Sequence, residues 1–288
     1  MSTDRASRRA ENLRVRPPLT LTRPTPVWDN SEVTAHRTIG GRYHRVTLHS
    51  PAITALALAG QFVMITIGDG TDILLPRPMA IHRRHRTTGE IEIVFTVVGR
   101  GTTALAELSV GDIVILTGPL GRGFDIPENT SQVLLMGRGI GVGAIMGTAE
   151  DAAEQGIKAT VVLSANRLAA IIGQDDCEEL GAVALPVADE DGSSAIALIE
   201  QALDARIHPS PPGAIMVCGS RRLLDLALRL GERWGSHVQV SLEAHMACGL
   251  GYCHGCAAPI PTDANREGPL VCVDGPVFDA VLPQNITE

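Results

Sequence analysis

From about residue 130 the chain alternates apolar, strand-like runs with amphipathic, helix-like ones, and this alternation restricts its fold more than any single motif. SQVLLMG is followed by a helical AIMGTAEDAAEQG, ATVVLSAN by a helix over SSAIALIEQALDA, and AIMVCG by RRLLDLALRLGERWG and then HVQVSLE. Strands that recur with a helix between them have no hairpin to turn back through. They lie parallel, with the helices covering both faces of a doubly wound sheet. The preceding stretch, 26–128, has a different texture. YHRVTLHS, QFVMITIGDG, IEIVFTVVG and DIVILTGPLG are short strands broken by Gly and Pro, the spacing of a small antiparallel barrel or sandwich, with a short helix expected at TTALAELS. After about residue 242 regular pattern stops, and 243–288 reads as a Gly-, Pro- and Cys-rich loop region.

Composition narrows the function classes. With 288 residues, 44% of them hydrophobic, the chain can build more than one core. A net charge of −8 and only 3% aromatic residues argue against nucleic acid as a partner. No apolar run reaches the roughly 18–20 residues of a membrane span, so the expected location is the cytoplasm. Residues 1–25 hold six arginines against Asp4 and Glu11 and lead into Pro-rich sequence, which reads as a disordered tail.

Four of the six cysteines stand in one region: Cys248, Cys253 and Cys256 in CGLGYCHGC, and Cys272 in VCVDG. Cytoplasmic thiol buffers disfavour a disulfide here and leave metal as the better use of the cluster. Zinc ribbons draw their ligands from two C-x2-C knuckles, and this chain has one, Cys253–Cys256. The order C-x4-C-x2-C followed by a distant cysteine is the plant-type [2Fe–2S] spacing. Gly249, Gly251 and Gly255 would let the backbone wrap such a cluster. Iron–sulfur is the leading reading and zinc the alternative. Cys177 and Cys218 read as packed thiols.

Two further segments suggest anion sites. Arg77-Pro78-Met79-Ala80, expected to precede a strand, pairs with Gly99-Arg100-Gly101-Thr102 at a helix start; a guanidinium and free helix N–H groups can together hold a diphosphate. In MGRGIGVG a strand runs through Gly137, Gly139 and Gly141 into a helix, the dinucleotide position of a doubly wound sheet, although the spacing is not the plain G-x-G-x-x-G and close helix–strand packing is the bland alternative. Cys218-Gly219-Ser220 ends a later strand at the same sheet edge.

RPMA, GRGT with VGDIVILTGPLGRGF, GRGIGVGAIM, CGS, SLEAHMACGLGYCHGC and VCVDGPVFDA, in that order, resemble the ferredoxin–NADP reductase superfamily, and within it the electron-transfer subunit of class 1B dihydroorotate dehydrogenase. The resemblance runs over nearly all the chain after residue 26. It implies an FAD-binding barrel over 26–128, an NAD-binding α/β domain over 129–242 and a [2Fe–2S] region over 243–288. FAD would be held at Arg77, Pro78, Met79 and Ala80, at Val94, Phe95 and Thr96, and at Gly101 with Thr102. NAD(H) would lie at Gly137, Gly139, Gly141, Cys218 and Gly219, with Cys248, Cys253, Cys256 and Cys272 as the cluster ligands. The resemblance further implies a partner, an FMN-containing catalytic subunit in a heterotetramer, so that this chain alone would not oxidise dihydroorotate. A reductase subunit of another complex, of the sulfide-reducing hydrogenase or NADH-dependent ferredoxin:NADP oxidoreductase kind, is the second reading. Ala80 stands where Ser is usual, and Arg138 interrupts the run of glycines, bringing a long side chain toward the nucleotide's entrance.

Overall fold

The computed structural model describes residues 14–16, 23–68, 73–207, 210–258 and 267–281. Strands β2 (Val27–Ile39), β3 (Tyr43–His49), β4 (Phe62–Thr66), β5 (Arg77–His85), β6 (Glu90–Thr96) and β7 (Ile113–Leu120) close into a barrel of order β2-β3-β6-β5-β4-β7. Every neighbouring pair is antiparallel. The two-residue side-chain period fills the barrel: Val46 and Leu48, Val63 and Ile65, and Ile91, Ile93 and Phe95 all face one interior cluster. Closure leaves no unpaired sheet edge. Two short helices, α1 (Pro51–Leu56) and α2 (Arg100–Ala106), sit between strands.

The second unit, which takes in β1 (Arg14–Arg16) and β13 (Val277–Val281) at one side, is a seven-stranded sheet of order β1-β13-β12-β11-β8-β9-β10. Its parallel centre comprises β8 (Gln132–Arg138), β9 (Lys158–Ala165), β10 (Val183–Ala188), β11 (Ala214–Cys218) and β12 (His237–Ser241). Strand residues alternate between faces. Val133, Leu135, Val161 and Leu163 pack with α3 (Val142–Glu154) and with Cys177 of α4 (Gln174–Glu179), whereas Leu134, Met136 and Val162 pack with α5 (Ile196–Ile207) and α6 (Arg221–Trp234). Helix α6 carries both its start and its stop signal in the sequence: Ser220 accepts a bond from the Leu223 N–H at 3.3 Å, and Gly235 takes the left-handed conformation at its end. No helix among the described residues is long and apolar enough to cross a membrane.

Three expectations are corrected. Three residues of the supposed disordered tail, Arg14–Arg16, form β1 and pair antiparallel with β13 (Val277–Val281); the remainder of 1–22 lies outside the described residues. The cysteine region is not patternless to its end, because β13 returns to the sheet beside β12. Arg77–Ala80 does not precede a strand but forms the first four residues of β5. Strands β2 and β10 and helix α1 carried no sufficient signal: β2 alternates exposed and half-buried positions and has few apolar residues to mark a period.

Barrel and sheet are joined by a buried ionic network. Three consecutive β5 residues, His82, Arg83 and Arg84, are at most 3% exposed, and a bulge beside Ile81 turns them toward α3 and α4. Arg83 reaches Asp176 at 3.0 Å and Glu150 at 3.1 Å; Arg84 reaches Glu150 at 3.2 Å and Asp151 at 2.6 Å. Arg45 of β3 grips Asp176 with both arms, at 3.0 and 2.7 Å, and also pairs with Glu92.

Candidate functional site

The four cysteines converge on a loop seated against the barrel. Glycine is required at Gly249, whose φ is +69° and where a Cβ would stand 2.6 Å from Met64 Cγ; Leu120 lies alongside. Gly251 likewise has positive φ and would meet Val273 at 2.6 Å. The loop then pairs with the 267–273 segment: Ala258 N–H donates to Pro269 O and Val271 N–H to Cys256 O. This pairing brings Cys256 and Cys272 together, with their sulfurs 3.2 Å apart. Asp274 fixes the turn that presents Cys272, its carboxylate accepting from Leu270 N–H at 2.7 Å.

Backbone N–H groups point at the sulfurs, Leu250 to Cys248 at 3.4 Å and Cys272 to Cys256 at 3.5 Å. Burial of Cys248 works against its thiolate, but the N–H donors of Leu250, Cys253 and Tyr252 and the Cys253 thiol outweigh it and bring the thiol down to about 6. Burial, reinforced by the adjacent Cys256 sulfur, pushes Cys272 up to about 12. All four thiols are free of disulfides, with Cys256 and Cys272 buried and Cys253 exposed beside Tyr252. Four sulfurs in a glycine-bent loop, met by N–H donors, fit an iron–sulfur cluster. Cys177 and Cys218 are buried thiols, both pushed up to about 12, Cys177 by burial and then Asp176, Cys218 by burial and then Glu243.

The proposed flavin segments also meet. The space a Cβ would take at Gly101 is filled by the guanidinium of Arg77, so the start of β5 lies directly on the first turn of α2. Arg77 donates to the carbonyls of Leu75 at 3.1 Å and Pro76 at 3.4 Å. Thr102 Oγ1 accepts from the N–H groups of Val98 at 2.8 Å and Gly99 at 3.1 Å, which shapes the turn before α2. Met79 and Phe95 point into the barrel interior, so their main chains rather than their side chains are available to a ligand there. Pro78 and Thr96 are half-buried. Ala80 and Val94 face outward into the cluster that includes Tyr43 and Ile140.

At the sheet edge the glycines bring backbones into contact. A Cβ on Gly141 would lie 2.7 Å from the Cys218 carbonyl, and one on Gly219, whose φ is +81°, would strike the Arg138 carbonyl. Gly139 abuts the Tyr43 hydroxyl from across the domain junction. Gly137 serves packing, its Cβ position taken by Val142 and Ile145. The Cys218 side chain is buried in the core and does not line the edge. Arg138 does not stand open at the crevice: it is bound to Ser164 and Asp189. Nothing local marks Asp189, Asp176 or Glu150, because each acquires its partners only through strand order and domain packing.

A closed antiparallel barrel, a doubly wound sheet and a cysteine loop joining them define a modular reductase. The chain superposes on NADH-dependent reduced ferredoxin–NADP oxidoreductase with a TM-score of 0.71 and 27% identity, covering 87% of this chain and 88% of that one. Phthalate dioxygenase reductase shares the fold alone, with a TM-score of 0.62 and 15% identity over 88% of this chain and 97% of that one. The model for the iron–sulfur cluster binding domain of dihydroorotate dehydrogenase B matches residues 243–282, which contain all four clustered cysteines. Electron transfer subunits of dihydroorotate dehydrogenase B (NAD(+)) from Desulforamulus reducens and Bacillus caldolyticus are each 32% identical, over 80% and 86% of this chain and 87% and 95% of theirs. The chain belongs to the family of dihydroorotate dehydrogenase B electron transfer subunits.

Proposed function

We propose that this chain is the cytoplasmic electron-transfer subunit of an NAD-linked dihydroorotate dehydrogenase, docking on an FMN-containing catalytic subunit in a heterotetramer and serving pyrimidine synthesis. The observation that carries the reading is the seating of the four-cysteine loop on Met64 and Leu120, which puts the sulfur site against the same barrel whose β5 holds Arg77. When bound, a [2Fe–2S] cluster supplies single-electron transfer, and FAD exchanges single electrons for the hydride that NAD takes or gives.

The chain's own residues bind and orient. Cys248, Cys253, Cys256 and Cys272 would ligate the two irons, with the N–H groups of Leu250 and Cys272 directed at the sulfurs. Arg77 and the Gly101–Thr102 turn would hold the FAD diphosphate, beside Pro78 to Ala80 and Val94 to Thr96. Gly139, Gly141 and Gly219 let the strand ends and the turn before α3 pack backbone to backbone, and this would shape the carboxyl edge at which a dinucleotide lies. The described residues form no (β/α)8 barrel, and this reading assigns the orotate chemistry to the partner.

The test is reconstitution. The purified chain alone is expected to pass electrons from NADH to artificial acceptors without oxidising dihydroorotate, and addition of an FMN-containing catalytic subunit from the same organism to restore dihydroorotate-dependent NAD reduction. Dihydroorotate oxidation by the chain alone, or failure to associate with that subunit, would overturn the reading, the latter in favour of a different reductase complex.

A further inference from the structure

One carboxylate ties together three strand ends of the sheet. Asp189, the residue after β10, receives both arms of Arg138, at 3.2 and 2.6 Å. It also receives Arg222, in the first turn of α6, at 3.3 Å, and the Ser194 hydroxyl at 2.5 Å. Arg138 itself ends β8 and donates to Ser164 near the end of β9 at 2.9 Å. In the strand order β10-β9-β8-β11, Arg222 enters from the β11 side, so its bond to Asp189 crosses above the ends of β8 and β9. The bridge therefore lies along the carboxyl edge where the winding reverses between β8 and β11, the position at which open α/β sheets take nucleotides.

Two guanidiniums share one carboxylate here, leaving one positive charge. The side chains are 24%, 41% and 56% exposed for Arg138, Asp189 and Arg222, so solvent and ligands reach the group and the bridge can exchange partners. A guanidinium fork fits phosphate as well as carboxylate. Without Asp189 the pair would form a phosphate site. With it, the carboxylate fills the Arg138 fork and one arm of Arg222, so an incoming phosphate has to displace it.

We propose that Asp189 sets the nucleotide preference, holding Arg138 and Arg222 so that a pyridine dinucleotide without a 2′-phosphate is accepted and one carrying it is turned away. The proposal rests on reading the carboxyl edge as a pyridine-dinucleotide site. Calorimetric titration of the oxidised, cofactor-loaded protein with NAD⁺ and NADP⁺ tests it in wild type, D189N and D189N/R138M. Asn keeps the size and a partner for Ser194 while removing the charge.

In D189N the ratio of the NADP⁺ to the NAD⁺ dissociation constant is expected to fall at least about tenfold, the worth of one freed charge-assisted bond. Adding R138M should return most of that gain. A ratio within about twofold of wild type in D189N, or a gain undiminished by R138M, would overturn the proposal. Wild type that binds NAD⁺ while D189N leaves the ratio unmoved defeats this inference alone. Wild type that binds neither nucleotide defeats the nucleotide-site reading together with it.

Discussion

Gly101 has no room for a side chain because Arg77 already occupies that volume. Replacing Gly101 by Ala is expected to push the guanidinium off the α2 turn and to lower flavin retention as Arg77→Ala does. The latter should cost roughly 1.5–3 kcal/mol of cofactor binding, the range for a charge-assisted hydrogen bond. Flavin absorbance after dialysis measures both, and an Arg77→Ala protein that keeps its full flavin would remove the residue from the site. The cysteines make a sharper claim. Metal analysis of protein purified without air should find about two irons and two acid-labile sulfides per chain, as a [2Fe–2S] centre requires. One zinc without sulfide would replace the cluster by a structural metal site.

Strand β5 links local chemistry to packing: it begins at Arg77 against the α2 turn and ends with His82, Arg83 and Arg84 buried against α3 and α4. Its role was half legible. The RPMA segment is marked by its resemblance, but nothing in IHRRH tells that two arginines are buried, because their acidic partners come from residues more than sixty positions away. Parallel strands β8, β9, β11 and β12 and helices α3, α5 and α6 were legible because apolar period and caps are local signals. Strand β13 was not, since it follows a loop and pairs with β1 and β12 only once the chain has returned to the sheet. Phe278 of β13 is fully buried, and its ring fills the space above Gly275, next to the turn that carries Cys272. Phe278→Ala is expected to lose roughly 3–5 kcal/mol of stability. A lowered denaturant midpoint should be accompanied by reduced iron content, whereas full iron loading with the midpoint unchanged would show that β13 does not anchor the loop.

The barrel and sheet are held together by charge, which makes their union depend on pH. Burial raises Glu92, but the bond from His85 at 3.1 Å and the charge of Arg45 outweigh it and bring the carboxyl to about 2. Asp176 goes the same way: burial opposes, His82 and Arg45 prevail, and it ends well below the usual carboxylate range. Groups depressed in this manner add stability above their unfolded values near 4 and lose it as pH falls through the folded ones, so unfolding should become easier from about pH 4.5 down toward 2. His85 is raised, first by its bond to Glu92, and its contribution has the opposite sign: present below its unfolded value near 6.5 and lost as pH climbs through the higher folded one. Asp176→Asn leaves Arg45 and Arg83 short of a buried partner and is expected to cost roughly 3–5 kcal/mol at neutral pH, read from denaturant unfolding. A loss below about 1 kcal/mol would show that the network does not hold the two units together.

That union has a purpose only if electrons cross it, from a nucleotide on the sheet through a flavin on the barrel to the four sulfurs. The direct measurement is electron paramagnetic resonance of the purified chain after anaerobic addition of NADH. A reduced [2Fe–2S] signal is expected in wild type, with none in Cys272→Ser although its flavin is still bleached. Flavin reduction in wild type without any cluster signal, or a signal that survives Cys272→Ser unchanged, would contradict the account.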